Sequence, residues 1–110
     1  MIQQESLFNL LQDWYLAQCN GDWEHEFGIK IDTLDNPGWS VVIDLLGTNY
    51  ENKKFNELNY ERNSNDWIQC SVINDQFKAA GGPRNLKEIV TIFIGWINKN
   101  ELNKEKRRPD

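Results

Sequence analysis

The sequence predicts an α+β domain of two layers, with two helices packed on one face of an antiparallel sheet of about four strands, in the order α-β-β-β-β-α. Two observations carry this: apolar residues recur with a helical period at each end of the chain, and with a period of two between them. A third sets the scale, because 110 residues bury one modest core and are too few for two. Residues 1–98 are expected to form a single domain, and residues 99–110 a charged, frayed tail.

Leu7, Leu10, Leu11, Trp14 and Tyr15 fall at i, i+3, i+4, i+7 and i+8. That spacing places five large apolar groups on one stripe of a helix over residues 4–18 and turns Gln12, Asp13 and Gln18 away from it. Asn20-Gly21 stops the helix, since glycine reaches the left-handed conformation that closes a C-terminus without a Cβ clash.

From Phe27 the period becomes two. Phe27, Ile29 and Ile31 alternate with Gly28, Lys30 and Asp32, and Trp39, Val41, Ile43 and Leu45 alternate with Ser40, Val42, Asp44 and Leu46. The two runs read as a hairpin joined by a Pro-Gly turn. Pairing Leu34 with Trp39 would split the apolar rows between faces, whereas pairing Thr33 with Trp39 sets Ile31 by Val41, Ile29 by Ile43 and Phe27 by Leu45. The loop is then the five residues 34–38, or four with a bulge. The opposite face collects Glu26, Lys30, Asp32, Ser40, Val42 and Asp44.

Residues 47–54 are a polar loop. A weak alternation over 55–62, the loop 63–65 and a firmer strand over 67–73 suggest a second hairpin that completes a four-stranded meander. Ala79-Ala80-Gly81-Gly82-Pro83 reads as a flexible approach to the second helix. There, Asn85 and Glu88 have capping-box spacing ahead of an apolar face of Leu86, Ile89, Val90, Phe93, Ile94 and Ile97.

The formal charge is −5. Residues 99–110 carry five Lys/Arg against three Asp/Glu, a local +2 that leaves −7 on residues 1–98. Such a body repels nucleic-acid backbones and anionic lipid and favours a basic partner or a metal ion. No apolar run approaches the roughly 20 residues of a membrane span, and the polar start has no secretory signal pattern, so a cytoplasmic protein is expected. In a reducing compartment Cys19 and Cys70 read as small buried hydrophobes rather than a disulfide.

Residues 21–44 concentrate the candidate chemistry: Asp22, Glu24, Glu26, Asp32, Asp35 and Asp44, with the single histidine His25, Asn36, and the tryptophans Trp23 and Trp39. Carboxylates and imidazole suit Mg²⁺, Mn²⁺ or Zn²⁺, but the spacing matches no compact motif such as HExxH. A solvated acidic face uses the same residues. His25 supported by Asp22 or Glu24 has the composition of a general base, yet no marked nucleophile accompanies it. A structural alternative ties the end of helix one to the hairpin through buried hydrogen bonds of Asp22 and His25. At Asp35-Asn36-Pro37-Gly38-Trp39, proline at the second turn position and glycine at positive φ at the third form a rigid tip beside an aromatic ring. Gly81-Gly82 is too sparse for a phosphate loop.

These residues resemble the bacterial immunity protein 53 family of polymorphic toxin systems. The resemblance rests on Trp14-Tyr15 with Cys19, Gly21-Asp22-Trp23-Glu24-His25, Gly28-Ile29, Thr33-Leu34-Asp35-Asn36-Pro37-Gly38-Trp39 and Ile43-Asp44-Leu45. It continues through Asp66-Trp67 with Cys70, Phe77, Gly81-Gly82 and Asn85-Leu86, and so covers about residues 7–97. Asn20 departs from the pattern, in which an acidic residue is expected. The resemblance implies a non-enzymatic antidote that needs no cofactor and binds a co-encoded toxin in the producing cell's cytoplasm. The partner is then a protein, expected to be basic, with neither nucleic acid nor membrane involved, and the chain itself a monomer or weak homodimer. On this reading Asp22, Glu24, Asp32, Asp35 and Asp44 supply charge, Trp23 and Trp39 anchor, and His25 and Asn36 hydrogen-bond. The alternative is a small-molecule or nucleotide-binding domain, or a metal-dependent hydrolase, using Asp22, Glu24 and His25.

Overall fold

The computed structural model describes residues 4–106. The first apolar stripe forms α1 (Gln4–Gln18), and a single turn, α2 (Trp23–Glu26), follows it. Five strands come next: β1 (Ile29–Leu34), β2 (Gly38–Asp44), β3 (Leu58–Asn63), β4 (Asp66–Ile73) and β5 (Gln76–Gly81). The chain closes with α3 (Leu86–Lys106). α3 runs on into the segment expected as a tail, of which residues 107–110 lie outside the described residues.

The hairpin register is the expected one, with Thr33 opposite Trp39, Ile31 opposite Val41 and Ile29 opposite Ile43. Leu34 also pairs with Gly38, so the loop is three residues rather than five. The Asn36–Pro37 peptide is cis, and Gly38 is not among the positive-φ glycines. Glycine is needed at 38 for a different reason: a Cβ there would lie 2.2 Å from the Gly81 carbonyl oxygen.

The sheet is antiparallel with order β1-β2-β5-β4-β3, so the expected four-stranded meander is corrected. The Ala-Ala-Gly segment read as a linker is β5, the central strand, paired on one side with β2 and on the other with β4. Asn74 and Asp75, at φ 55° and 59°, make the two-residue turn that joins β4 to β5, and two left-handed residues in a row match the twist of the strands they connect. The connection from β2 to β3 crosses to the far edge and leaves this central place free.

Alternation along the strands assigns the faces. Val41, Ile43, Ile68, Cys70, Phe77 and Ala79 point to one side and are buried with Leu7, Leu11 and Trp14 of α1 and Ile89, Val90, Phe93 and Trp96 of α3. Phe77 and Phe93 are fully buried with ring centroids 5.1 Å apart, each contributing on the order of 2–3 kcal/mol from burial alone. Burial also pushes the Cys70 thiol up to about 11, with Glu88 adding to the shift, as expected for an inert core cysteine; Cys19 is half-buried, and both thiols are free.

Asn85 precedes α3 as expected, its carbonyl accepting from Ile89 N–H at 3.0 Å, but its side chain does not cap the helix. Only 6% exposed, it accepts from Trp67 N–H at 3.3 Å and donates to Asp66 at 2.9 Å and Glu88 at 3.0 Å. Arg62 pairs with the same two carboxylates at 2.9 and 2.6 Å, and the bonds from Arg62 and then Asn85 hold the Asp66 carboxyl below its ordinary range. Gly82 is what lets this cluster close: a Cβ on it would lie 2.5 Å from the Asn65 carbonyl oxygen and 2.7 Å from Asn85 Oδ1.

Gly82→Ala is therefore expected to destabilise the fold by roughly 1–3 kcal/mol. Gly95→Ala, at an exposed helical position where a Cβ meets nothing within 4 Å, is expected to stabilise it by up to about 1 kcal/mol. Denaturant titration of the two variants checks both signs.

Candidate partner-binding surface

The segment before β1 folds on itself. Asn20 Oδ1 accepts from the N–H groups of Asp22 at 2.9 Å and Trp23 at 3.0 Å. In return the Glu24 carboxylate accepts from Asn20 N–H at 2.9 Å and Gly21 N–H at 2.8 Å. Gly21 sits at φ 95°, so the chain reverses where the sequence places glycine. Backbone N–H donors, its own first and then those of Asn20 and Gly21, hold the Glu24 carboxyl below its ordinary range despite some opposing desolvation. Asn20 thus holds the turn that leads into α2.

This clamp drives Trp23 inward. Its side chain is 5% exposed, meets Trp14 edge-on at a centroid distance of 6.2 Å, and lies near Tyr15 and Phe27. Its indole N–H donates to the Leu46 carbonyl at 3.0 Å. Trp23, which the sequence offers as an aromatic anchor, lies in the core, where its apolar area and its polar N–H both find partners.

Two further site residues are committed to the fold. Asp44 accepts from Gly28 N–H at 2.9 Å and from the Gln76 amide at 2.8 Å, which ties the start of β1 to β2 and β5. Glu24 is occupied by the clamp. On the structural alternative the tie between α1 and the hairpin runs through buried Asp22 and His25; both are exposed, and Glu24, Asp44 and Trp23 make it instead.

The remaining candidates fall into three groups. Asp22 and His25, with Glu26, border a cavity of about 440 Å³ completed by Asn20, Trp23, Phe27 and Gly47. Asp32 projects from β1 onto the helix-free face. Asp35 and Asn36 form the exposed hairpin tip, beside the half-buried Trp39, whose indole N–H donates to the Pro83 carbonyl at 3.0 Å. β1 separates the first group from the third by roughly 17 Å at strand rise, so one copy does not bring them together. Among the described residues no three His, Cys, Asp or Glu side chains gather in a way that would hold a metal ion, and the metal-dependent hydrolase alternative has no support.

The helix-free sheet face also contains residues the sequence did not single out. Lys78, Ala80, Gln69 and Ser71 join Ser40 and Val42 around a depression of about 350 Å³. They were missed because they lie on β5 and the solvent side of β4; the Asn74-Asp75 turn was the signal that would have placed them.

The profile of the family described as immunity protein 53 matches residues 8–98 of the chain. No curated protein and no solved structure matches it.

Replacing the Trp23 side chain removes core, whereas replacing its neighbours removes only surface. Trp23→Ala is expected to cost about 3–5 kcal/mol, and Asp22→Ala and His25→Ala to stay within roughly 0.5 kcal/mol of the parent. Thermal melts in which Asp22→Ala or His25→Ala proved the more damaging change would refute the assignment.

Proposed function

The chain belongs to the immunity protein 53 family, and from that membership we propose that it is a non-enzymatic antidote, binding a co-encoded toxin in the cytoplasm of the cell that makes both. Family membership carries the reading. The charge distribution supports it: with −7 on residues 1–98, the body attracts a basic protein, speeding and orienting encounter.

The contact surface we propose is built from candidates at the two ends of β1 whose side chains reach solvent. Asp22, His25 and Glu26 supply charge and hydrogen bonding around the α2 cavity. Asp35 and Asn36 do so at the hairpin tip, with the exposed edge of Trp39 as the aromatic contact. Trp23, Glu24 and Asp44 support this surface from behind. No helix among the described residues is long and apolar enough to cross a membrane.

Co-expression with the product of the neighbouring toxin gene tests the reading. Wild type should restore growth, and the double reversal Asp22→Lys/Glu26→Lys should slow association by roughly tenfold while leaving the melting temperature unchanged. No rescue by the wild-type chain would remove the antidote reading; equal rescue by the reversed variant would remove only the α2 end from the contact surface.

A further inference from the structure

β1 and β3 are the two edges of the sheet, and they differ. β3 carries a register irregularity between Glu61 and Asn63, a feature that blunts an edge. β1 pairs with β2 without interruption from Ile29 to Leu34, and residues 30–33 are exposed. The bond from Asp44 N–H to the Gly28 carbonyl, 3.0 Å, sets the parity of the ladder. Lys30, Asp32 and Leu34 direct their main-chain groups at β2, and Ile29, Ile31 and Thr33 direct theirs away from the sheet. The edge therefore offers a regular row of donors and acceptors that no strand among the described residues pairs.

The side chains say what fits it. We propose that β1 pairs antiparallel with β1 of a second copy about a two-fold axis through Ile31, joining two five-stranded sheets into one. In that register Ile31 faces the partner's Ile31, Lys30 faces the partner's Asp32, Asp32 faces the partner's Lys30, and Ile29 faces the partner's Thr33. Moving the axis to Lys30 or to Asp32 sets like charges directly opposite one another, which is unfavourable at cross-strand distances. The sequence Lys-Ile-Asp is thus complementary to itself in one register only. On the helix side of the edge, Ile31 and Tyr15 are each 38% exposed, and Tyr15, Leu11 and Ile29 line a mainly apolar cavity of about 350 Å³ that the second copy would help to cover.

Each copy carries a formal −5, which opposes association. The same register turns Asp35 of one copy towards the α2 carboxylates of the other, a repulsion that keeps the association weak, whereas the Lys30–Asp32 pairs lie within about 5.5 Å and decide the register. Pairing along one short edge covers less than the roughly 800 Å² per partner of a stable interface, so the dimer is weak, with a dissociation constant on the order of 10 μM to 1 mM. The pairing also sets Leu34 against the partner's Gly28, which brings the Asp35-Asn36 tip of one copy beside the α2 end of the other. Groups that β1 holds apart in one chain adjoin across the pair.

This inference is independent of the toxin reading, since the chain alone is measured. Sedimentation analysis from about 10 μM to about 1 mM should give a concentration-dependent dimer. Lys30→Asp should weaken it about tenfold, and Lys30→Asp/Asp32→Lys should restore it, because the double reversal recreates both opposite-charge pairs. Ile31→Pro removes an outward N–H that β2 does not use and should abolish dimerisation, with far-UV circular dichroism confirming that each variant is folded. Absence of association up to about 1 mM would overturn the proposal. So would a dimer indifferent to Ile31→Pro, or one that Lys30→Asp weakens and the double reversal fails to restore.

Discussion

The position of the Trp23 indole governs how the two layers meet. Its ring meets Trp14 of α1 edge-on, and its N–H is bonded to the Leu46 carbonyl just after β2. Gly47, at φ 82°, approaches so closely that a Cβ there would be 3.3 Å from the indole. One side chain therefore joins α1, α2 and the exit of the hairpin, and the Asn20–Glu24 clamp holds it at the right depth. Asp44 completes the junction by bonding the first residues of the hairpin to β5.

This constraint separates scaffold from surface. Trp23, Glu24 and Asp44 face into the junction, so the carboxylates left for a partner are those turned outward, Asp22 and Glu26 at α2, Asp32 on the helix-free face and Asp35 at the hairpin tip. Six acidic residues within 24 positions look like one patch in the sequence. In the fold they divide between internal hydrogen bonding and surface charge, and neither share assembles a metal site. Around Asn85 the pattern repeats: polar groups that look like helix-capping chemistry are spent on joining β4 to α3.

What was legible in the sequence follows from which forces are local. The β1–β2 register was legible because a slip of one residue sends a row of isoleucines to the wrong face, a constraint visible in the alternation itself. Both long helices were legible from their stripes. β5 was not, since Ala-Ala-Gly-Gly has a linker's composition, and its central place depends on Gly38 and Gly81 approaching across two strands, a contact no local pattern encodes. The burial of Trp23 was not legible for a related reason. A tryptophan between Asp and Glu, two residues after a glycine, looks exposed until the Asn20–Glu24 clamp is seen to bury it, and no local pattern marks that clamp.

The central claim is that Gly21-Asp22-Trp23-Glu24-His25 is first a structural plug, with recognition confined to what it leaves outside. Hydrogen exchange of the Trp23 indole N–H, followed by NMR in the native protein, measures this directly. A proton buried in the core and bonded to Leu46 is predicted to exchange only through global unfolding, with the same opening free energy as the slowest backbone amides of β5. Exchange at the rate of an exposed indole, in a protein otherwise folded, would contradict the account.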